Sequence, residues 1–344
     1  MEKILQQLLP QIINIRHTIH ANPELANEEI STASLVASTL HNFGYTDIIE
    51  GIAGTGITAV LDSGKPGKTV ALRADMDALP IDEQTYLEYK STIKNKMHAC
   101  GHDGHTATLL AVAGLLIQCR GQFRGKVKFI FQPAEEIGAG ALAMINAGAL
   151  DNPKVDAVFG YHNTTKSKEG VFKVKAGCIH AGADVFSITI KGKGGHAAHP
   201  HLISDPIYIG SLIIQAIQSI VSRLTLPAEA LVISVTQFHA GTTHNVIPEE
   251  ATFGGTIRAV TTTTQQVVKD KISEIVDKIC TIYGATSTVE FTHHFPPTIN
   301  HIKETEFAYN IAQKVLPTGN AEFLMQPSMA AEDFSHYLEK VPGC

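Results

Sequence analysis

Apolar positions Ile4, Leu5, Leu8, Ile12, Ile15 and Ile19 recur at helical spacing over residues 2–20, which predicts an amphipathic helix. Pro10 falls inside this stretch and is expected to kink it or to open its second half. A second amphipathic helix is expected over 28–43, stopped by Gly44. The runs 56–62 (GITAVLD) and 69–75 (TVALRAD) read as strands, and the Gly/Pro-rich joint SGKPGK between them suits a hairpin. An Ala/Leu-rich helix at 104–119, a buried strand at 126–132 (KVKFIFQ), a small-residue helix at 138–148 and a strand at 155–162 follow. Strands alternating with helices predict an α/β fold built on a mostly parallel sheet.

The texture changes near residue 180. An alternating strand (184–194), a helix (205–223), two strands (231–240 and 249–260), a helix (264–282) and a strand (286–293) succeed one another. That order is the split β-α-β-β-α-β, ferredoxin-like pattern. It covers roughly 110 residues, a size that suits an inserted α+β domain. FPPTIN (295–300) reads as the linker back, and a helix at 303–315 and the segment 329–340 rejoin the first domain. The expected organisation is a first domain over 1–181, an inserted domain over 182–293 and a return segment over 294–344. A chain of 344 residues is long enough for two such cores.

Composition narrows the function classes. Hydrophobic residues make up 44% and charged residues 17%, as in a chain with a packed core. The net charge is −6 and no dense basic run occurs, which argues against nucleic acid as a partner. Glutamines, Pro10 and Asn14 interrupt the N-terminal apolar stretch and no small-residue cleavage site follows, so no signal peptide is expected. No uninterrupted apolar run reaches the roughly 18 residues of a membrane span, so no membrane partner is expected. Cys100, Cys119, Cys178, Cys280 and Cys344 are widely and irregularly spaced, which suits a reduced, cytoplasmic chain. Seventeen histidines, several in tight clusters, point towards metal chemistry.

The densest cluster is His98-Ala-Cys100-Gly-His102-Asp103-Gly-His105, just before a predicted helix. A thiolate and imidazoles this close suit a borderline-soft divalent metal such as zinc. A helix N-terminus behind the loop favours the thiolate. Without a metal, the octapeptide is an ordinary loop with incidental histidines. Gln132-Pro-Ala-Glu135-Glu136 ends a predicted strand, where α/β folds place ligands. Of two adjacent carboxylates, one can bind metal while the other moves a proton; the plainer reading is a solvated helix start. Tyr161-His162-Asn163 lies at another strand end, and Arg73-Ala-Asp75-Met-Asp77 offers an aspartate able to orient a ligand histidine. Gly67-Lys68-Thr69 is no phosphate loop, since position 62 is Asp, and Gly54-Thr55-Gly56 lacks the third glycine of a dinucleotide fingerprint.

Taken in order, these strings resemble the dinuclear metallopeptidase family of aminoacylases and carboxypeptidases. Within it they resemble the amidohydrolase subfamily that includes hippurate hydrolase, indole-acetyl-amino-acid hydrolase and N-acetyl-diaminopimelate deacetylase. The resemblance runs from His20-Ala-Asn-Pro23-Glu24-Leu25 through RADMDALPI, MHACGHDGH, FQPAEE and GGHAAHP. It continues with Asn245-Val-Ile-Pro248, Gly255-Thr-Ile-Arg258 and Ala331-Glu332-Asp333-Phe334. It implies hydrolysis of N-acyl-L-amino acids to a carboxylate and a free amino acid by a homodimer joined through the inserted domain, which acts as a lid. Two divalent ions per subunit are implied, zinc or manganese first and cobalt or nickel after them. Cys100, His102, Glu136 and His162 match the metal ligands, Glu135 the general base and Asp77 the supporting aspartate. His196 matches a residue that steadies the oxyanion in a partner subunit's site, and Asn245 and Arg258 match substrate-binding positions. A further histidine ligand of the family lies beyond a segment that starts like VPG, where this sequence ends at Cys344. The alternative expectation is therefore a catalytically silent metal- or ligand-binding homologue. A thiol enzyme using Cys100 lacks a supporting Cys-His-Asn pattern.

Overall fold

The computed structural model describes residues 1–344, the side chains of 293 and 294 excepted. Two units are present, one comprising Met1–Gly177, Ile299–Leu324 and Asp333–Cys344, the other Cys178–Thr298 and Met325–Glu332.

The first unit is organised by its most apolar strand. Strand β1 spans Ile48–Ile52, β2 Gly56–Asp62, β3 Thr69–Asp75, β4 Lys126–Gln132 and β5 Ala157–Gly160. They lie in the order β1-β2-β4-β3-β5. Phe129, Ile130 and Phe131 of β4 are fully buried, so the strand needs cover on both faces and a partner on both edges. It therefore takes the slot between β2 and β3, and the expected hairpin between those two strands does not form. Their joint folds over the start of β4 instead: Ser63 N donates to Gly125 O (3.1 Å) and Gly125 N to Lys65 O (2.9 Å). The sheet is thereby mixed, parallel at β3–β4 and β3–β5 and antiparallel at β1–β2 and β2–β4.

Three helices cover one part of this sheet: α1 (Glu2–Ala21), α2 (Ile30–Phe43) and α3 (His102–Gln118). Leu8, Ile12, Ile15 and Ile19 form the buried stripe of α1, as their spacing predicts, and the helix runs unbroken through Pro10. Helix α2 stops at Gly44, which adopts φ +98° and donates to His41 O and Leu40 O. Helix α4 spans Gly140–Asn146 and α7, in the return segment, Ile302–Val315. The last residues lie beside β5, with Val158 N donating to Pro342 O (2.9 Å) and Cys344 N to Val158 O (3.1 Å).

The second unit carries strands β6 (Gly182–Lys191), β7 (Leu231–Ala240), β8 (Glu250–Ala259) and β9 (Thr286–Phe295). They form an antiparallel sheet in the order β7-β8-β6-β9. With helices α5 (Pro206–Ser219) and α6 (Thr262–Ile282) this is the split β-α-β-β-α-β topology. Asp205 caps α5 by accepting from Ile207 N and Tyr208 N, and Thr261 caps α6 by accepting from Thr264 N. The helical stretch Pro206–Leu224 is long and apolar enough to cross a membrane, with mean hydropathy 1.4. Its apolarity has a core partner, because Ile209, Ile213, Ile217 and Ile220 pack against Phe186, Ile188 and Ile257. Residues 325–332, which the sequence places in the return segment, belong to this unit because Ala181 N donates to Ser328 O (2.9 Å) and Ser328 N to Ile179 O (2.8 Å).

Gly255 marks a close approach between neighbouring strands: a Cβ there would lie 1.8 Å from Ser234 O. Gly255→Ala is therefore expected to push β7 from β8 and lower stability by about 1–3 kcal/mol. Chemical denaturation followed by circular dichroism checks this; an unchanged midpoint contradicts the close approach.

Candidate metal and catalytic site

Strands β3, β4 and β5 run parallel, so their C-terminal ends open on one edge of the first unit's sheet. Each end continues into a polar turn: Met76-Asp77 after β3, Pro133–Glu136 after β4, Tyr161–Asn163 after β5. The N-terminus of α3 brings the fourth piece. His102 is the first residue of that helix, two residues earlier than the sequence predicts, and His105 lies in its first turn. Gly101, just before it, adopts φ +90°, and a Cβ there would meet Asn163 Nδ2 at 2.4 Å. Only glycine gives both the left-handed turn and the room.

The candidate ligating atoms converge on His102. Its Nδ1 lies 3.1 Å from Asp77 Oδ1, which leaves Nε2 bare and aimed at the other candidates. His102 Nε2 makes no hydrogen bond and sits 3.9 Å from Glu136 Oε1, which makes none either. On the other side, Cys100 Sγ lies 3.3 Å from His162 Nε2, while His162 Nδ1 lies 2.6 Å from Asn163 O. Cys100, His102 and His162 offer ligand atoms within 4.8 Å of one another, and so do His102, Glu135 and Glu136. The two donor triplets overlap at one imidazole, so thiolate, imidazole and carboxylate donors lie side by side.

The electrostatics point the same way. Burial raises the Cys100 thiol, but the neighbouring His102 and His162 imidazoles outweigh it and bring it down to about 6. Burial and the nearby Cys100 charge push Glu136 up to about 8. Burial disfavours charge on His102, yet Asp75 and the bond to Asp77 raise it well above the ordinary histidine value. Two anionic ligands that repel each other, beside two buried atoms with no hydrogen bond, are the conditions a divalent cation relieves. The thiolate, imidazole and carboxylate donors fit a zinc-like ion.

Of the sequence-derived candidates, Asp77, Cys100, His102, Glu135, Glu136 and His162 come together here. Asp77 also accepts from Glu136 N at 2.9 Å through its second oxygen. Glu135 Oε1 accepts from Asp333 N at 3.2 Å. His98 is buried and belongs to neither triplet; burial pushes its imidazole down to about 4. His196, Asn245 and Arg258 belong to the second unit. His196 pairs with Val246 across a two-stranded ladder, and Ala197 N donates to Asn245 O at 3.1 Å, so the first two are neighbours. Arg258 lies on β8, half-buried, with burial lowering its guanidinium.

Several supporting residues lie in strings the sequence analysis quotes, but without the partners the structure gives them. Asp75 holds His105 Nδ1 at 2.6 Å and Arg73 Nη1 at 2.7 Å, and the charges of His102, His105 and Arg73 keep it well below the usual carboxylate range despite burial. Arg73 reaches Asp333 Oδ1 at 2.8 Å and Gln132 Oε1 at 2.8 Å. Asp333, from the return segment, accepts further from Gln132 Nε2 and Ala141 N. The period-two spacing of Arg73, Asp75 and Asp77 was the available signal for Asp75. Ala134, one residue before Glu135, adopts φ +54°, a left-handed conformation that strains a non-glycine residue by about 1–3 kcal/mol.

The chain matches peptidase family M20/M25/M40 over residues 71–344. It is 44% identical over 336 residues to thermostable carboxypeptidase 2 of Saccharolobus solfataricus, covering 96% of this chain and 84% of the relative. It is 41% identical over 339 residues to hippurate hydrolase of Campylobacter jejuni, covering 96% and 88%. Among solved structures, a Bacillus subtilis protein described as a dinuclear metal binding peptidase of the M20 family superposes with a TM-score of 0.85 at 35% identity, over 98% of this chain and 88% of that one. The chain belongs to peptidase family M20/M25/M40 and is a metal-binding hydrolase of amide or peptide bonds.

Proposed function

We propose that the protein hydrolyses the amide bond of N-acyl-L-amino acids, in the manner of an aminoacylase or hippurate hydrolase, releasing a carboxylate and a free amino acid. The observation that carries this reading is the pairing of Glu135 with Glu136 beside the bare Nε2 of His102. It is supported by the 41% identity to a protein named hippurate hydrolase. Cys100, His102, Glu136 and His162 would hold two divalent ions, zinc or manganese first. When bound, the ions would polarise the amide carbonyl and acidify the attacking water. Asp77 keeps His102 in the tautomer that presents Nε2. Glu135 takes the proton of the water and returns it to the leaving amine. Arg258 suits the substrate carboxylate, where a guanidinium forms charge-assisted bonds, and Asn245 the amino-acid backbone. His196 from a second subunit would donate to the developing oxyanion. The second unit would then serve as lid and dimerisation surface of a cytoplasmic homodimer.

A panel of acetyl, benzoyl and indole-acetyl amino acids, assayed with zinc, manganese or cobalt, tests the substrate class. Activity is expected to vanish on chelation and return with added metal; hydrolysis that survives full chelation contradicts the assignment.

Glu135→Gln is expected to keep its metal and lose about 10²–10⁴ in turnover. Glu136→Gln is expected to lose metal affinity first. Metal analysis alongside kcat separates the two, and equal metal content in both variants refutes this division of labour.

His196→Ala is expected to keep metal and fold and lose about 10²–10³ in kcat. Mixing it with Glu135→Gln under conditions that exchange subunits should restore some activity, since a mixed dimer owns one intact composite site. Absence of rescue despite demonstrated exchange excludes the shared site.

A further inference from the structure

The turn that carries Glu135 and Glu136 is held from behind by a residue outside every motif discussed above. Glu29 precedes α2 and is fully buried. Its position suggests a helix cap, but its side chain makes no capping bond. Glu24 performs that task, accepting from Ser31 N at 2.9 Å and Thr32 N at 2.8 Å. The Glu29 carboxylate points elsewhere. Oε1 accepts from Ala134 N at 2.9 Å, and Oε2 accepts from Thr55 Oγ1 at 2.7 Å. Burial raises the pKa of this carboxyl, and these two bonds offset part of the cost of burying it.

Ala134 shows what the bonds achieve. It is fully buried and left-handed, the conformation L-residues other than glycine avoid. Its carbonyl accepts from Gly140 N at 3.1 Å and its N–H is taken by Glu29, so the residue is pinned on both sides. The left-handed step turns the chain so that Glu136 N reaches Asp77 Oδ2 and Glu135 Oε1 meets Asp333 N. Strained backbone persists only where its surroundings over-determine it.

We propose that Glu29 is a positioning residue for the carboxylate pair: by accepting from Ala134 N–H it holds the left-handed turn that aims Glu136 at the metal and Glu135 at the substrate. The proposal deepens the reading given above and rests on the metal and base roles assigned there to Glu136 and Glu135. Thr55, in the Gly54-Thr55-Gly56 turn, holds the far oxygen and completes the brace.

The test uses four variants of the full chain and two readouts, zinc affinity by chelator competition and the split of kcat against KM. Glu29→Leu removes the acceptor at similar volume and is expected to weaken zinc binding and lower kcat by about 10- to 100-fold, the usual loss for a partner behind the ligands, with KM little changed. Glu29→Gln keeps an acceptor for Ala134 N–H and is expected to retain most of both. Ala134→Gly, placed in the Glu29→Leu background, removes the strain that the bond opposes and is expected to recover part of the loss. A Glu29→Leu protein with wild-type zinc affinity and wild-type kcat per metal-loaded chain overturns the proposal, as does a double variant no better than Glu29→Leu. Should Glu29→Leu not fold, Thr55→Val is read in the same assays; a smaller loss in the same direction supports the brace and wild-type behaviour overturns it. Zinc affinity decides the positioning claim even if no N-acyl amino acid is hydrolysed, so failure of the substrate reading and failure of this inference are told apart.

Discussion

One carboxylate ties together the segments that carry His102 and Glu136. Asp77 holds His102 Nδ1 with one oxygen and Glu136 N–H with the other. The first bond sets the tautomer and ring direction of an imidazole at the start of α3. The second sets the backbone of the turn after β4. His102 and Glu136 are 34 residues apart and share no strand or helix. Asp77 is itself 1% exposed, so neither bond competes with water. Without it, the two donor triplets would lose the common orientation of the imidazole they share.

Behind that carboxylate lies a buried ionic network that a single pair would not sustain. Isolated ions are expensive to bury, and one partner rarely compensates them. Arg73 resolves this with a planar fork directed at Asp75, Asp333 and Gln132 at once. Asp333 in turn accepts from Gln132 and Ala141, so its charge is distributed over fixed dipoles. The network links β3, β4, α4 and the return segment, the elements that must keep register for the site to hold its shape. Its value is geometric: every bond that satisfies a buried charge also fixes the direction of a group one step nearer the ligands.

Local patterns carried the elements and most of the candidate ligating residues. The stripe of α1, the stop at Gly44 and the split topology of the second unit follow from periodicity and from glycine placement, which are local quantities. The cluster Cys100–His105 and the doublet Glu135-Glu136 are dense enough in chemistry to stand out unaided. What local pattern does not carry is long-range competition. The hairpin between β2 and β3 is a sound local expectation that loses to β4, whose buried faces demand the central slot. The pairings among the site's supports are invisible for the same reason: Arg73 and Asp333 are 260 residues apart, and Glu29 and Ala134 are 105 apart.

Backbone conformation explains the rest of the gap. Two of the three turns that carry candidate ligands contain a left-handed residue, Gly101 before His102 and Ala134 before Glu135. Glycine announces such a conformation in sequence, since it adopts it freely. Alanine announces nothing, because its intrinsic preference lies in the opposite region. The strain at Ala134 is therefore legible only through the groups that enforce it, which lie on other elements. A small side chain at that position also suits a fully buried residue. The balance differs between the two turns. At Gly101 room is scarce, with Asn163 against the missing Cβ, and freedom of φ comes with the residue. At Ala134 the φ angle is imposed, by a carboxylate on one side and by Gly140 N–H on the other. An imposed turn costs stability and is fixed by the bonds that impose it. That rigidity is what a pair of adjacent carboxylates needs if one is to bind and the other to move a proton.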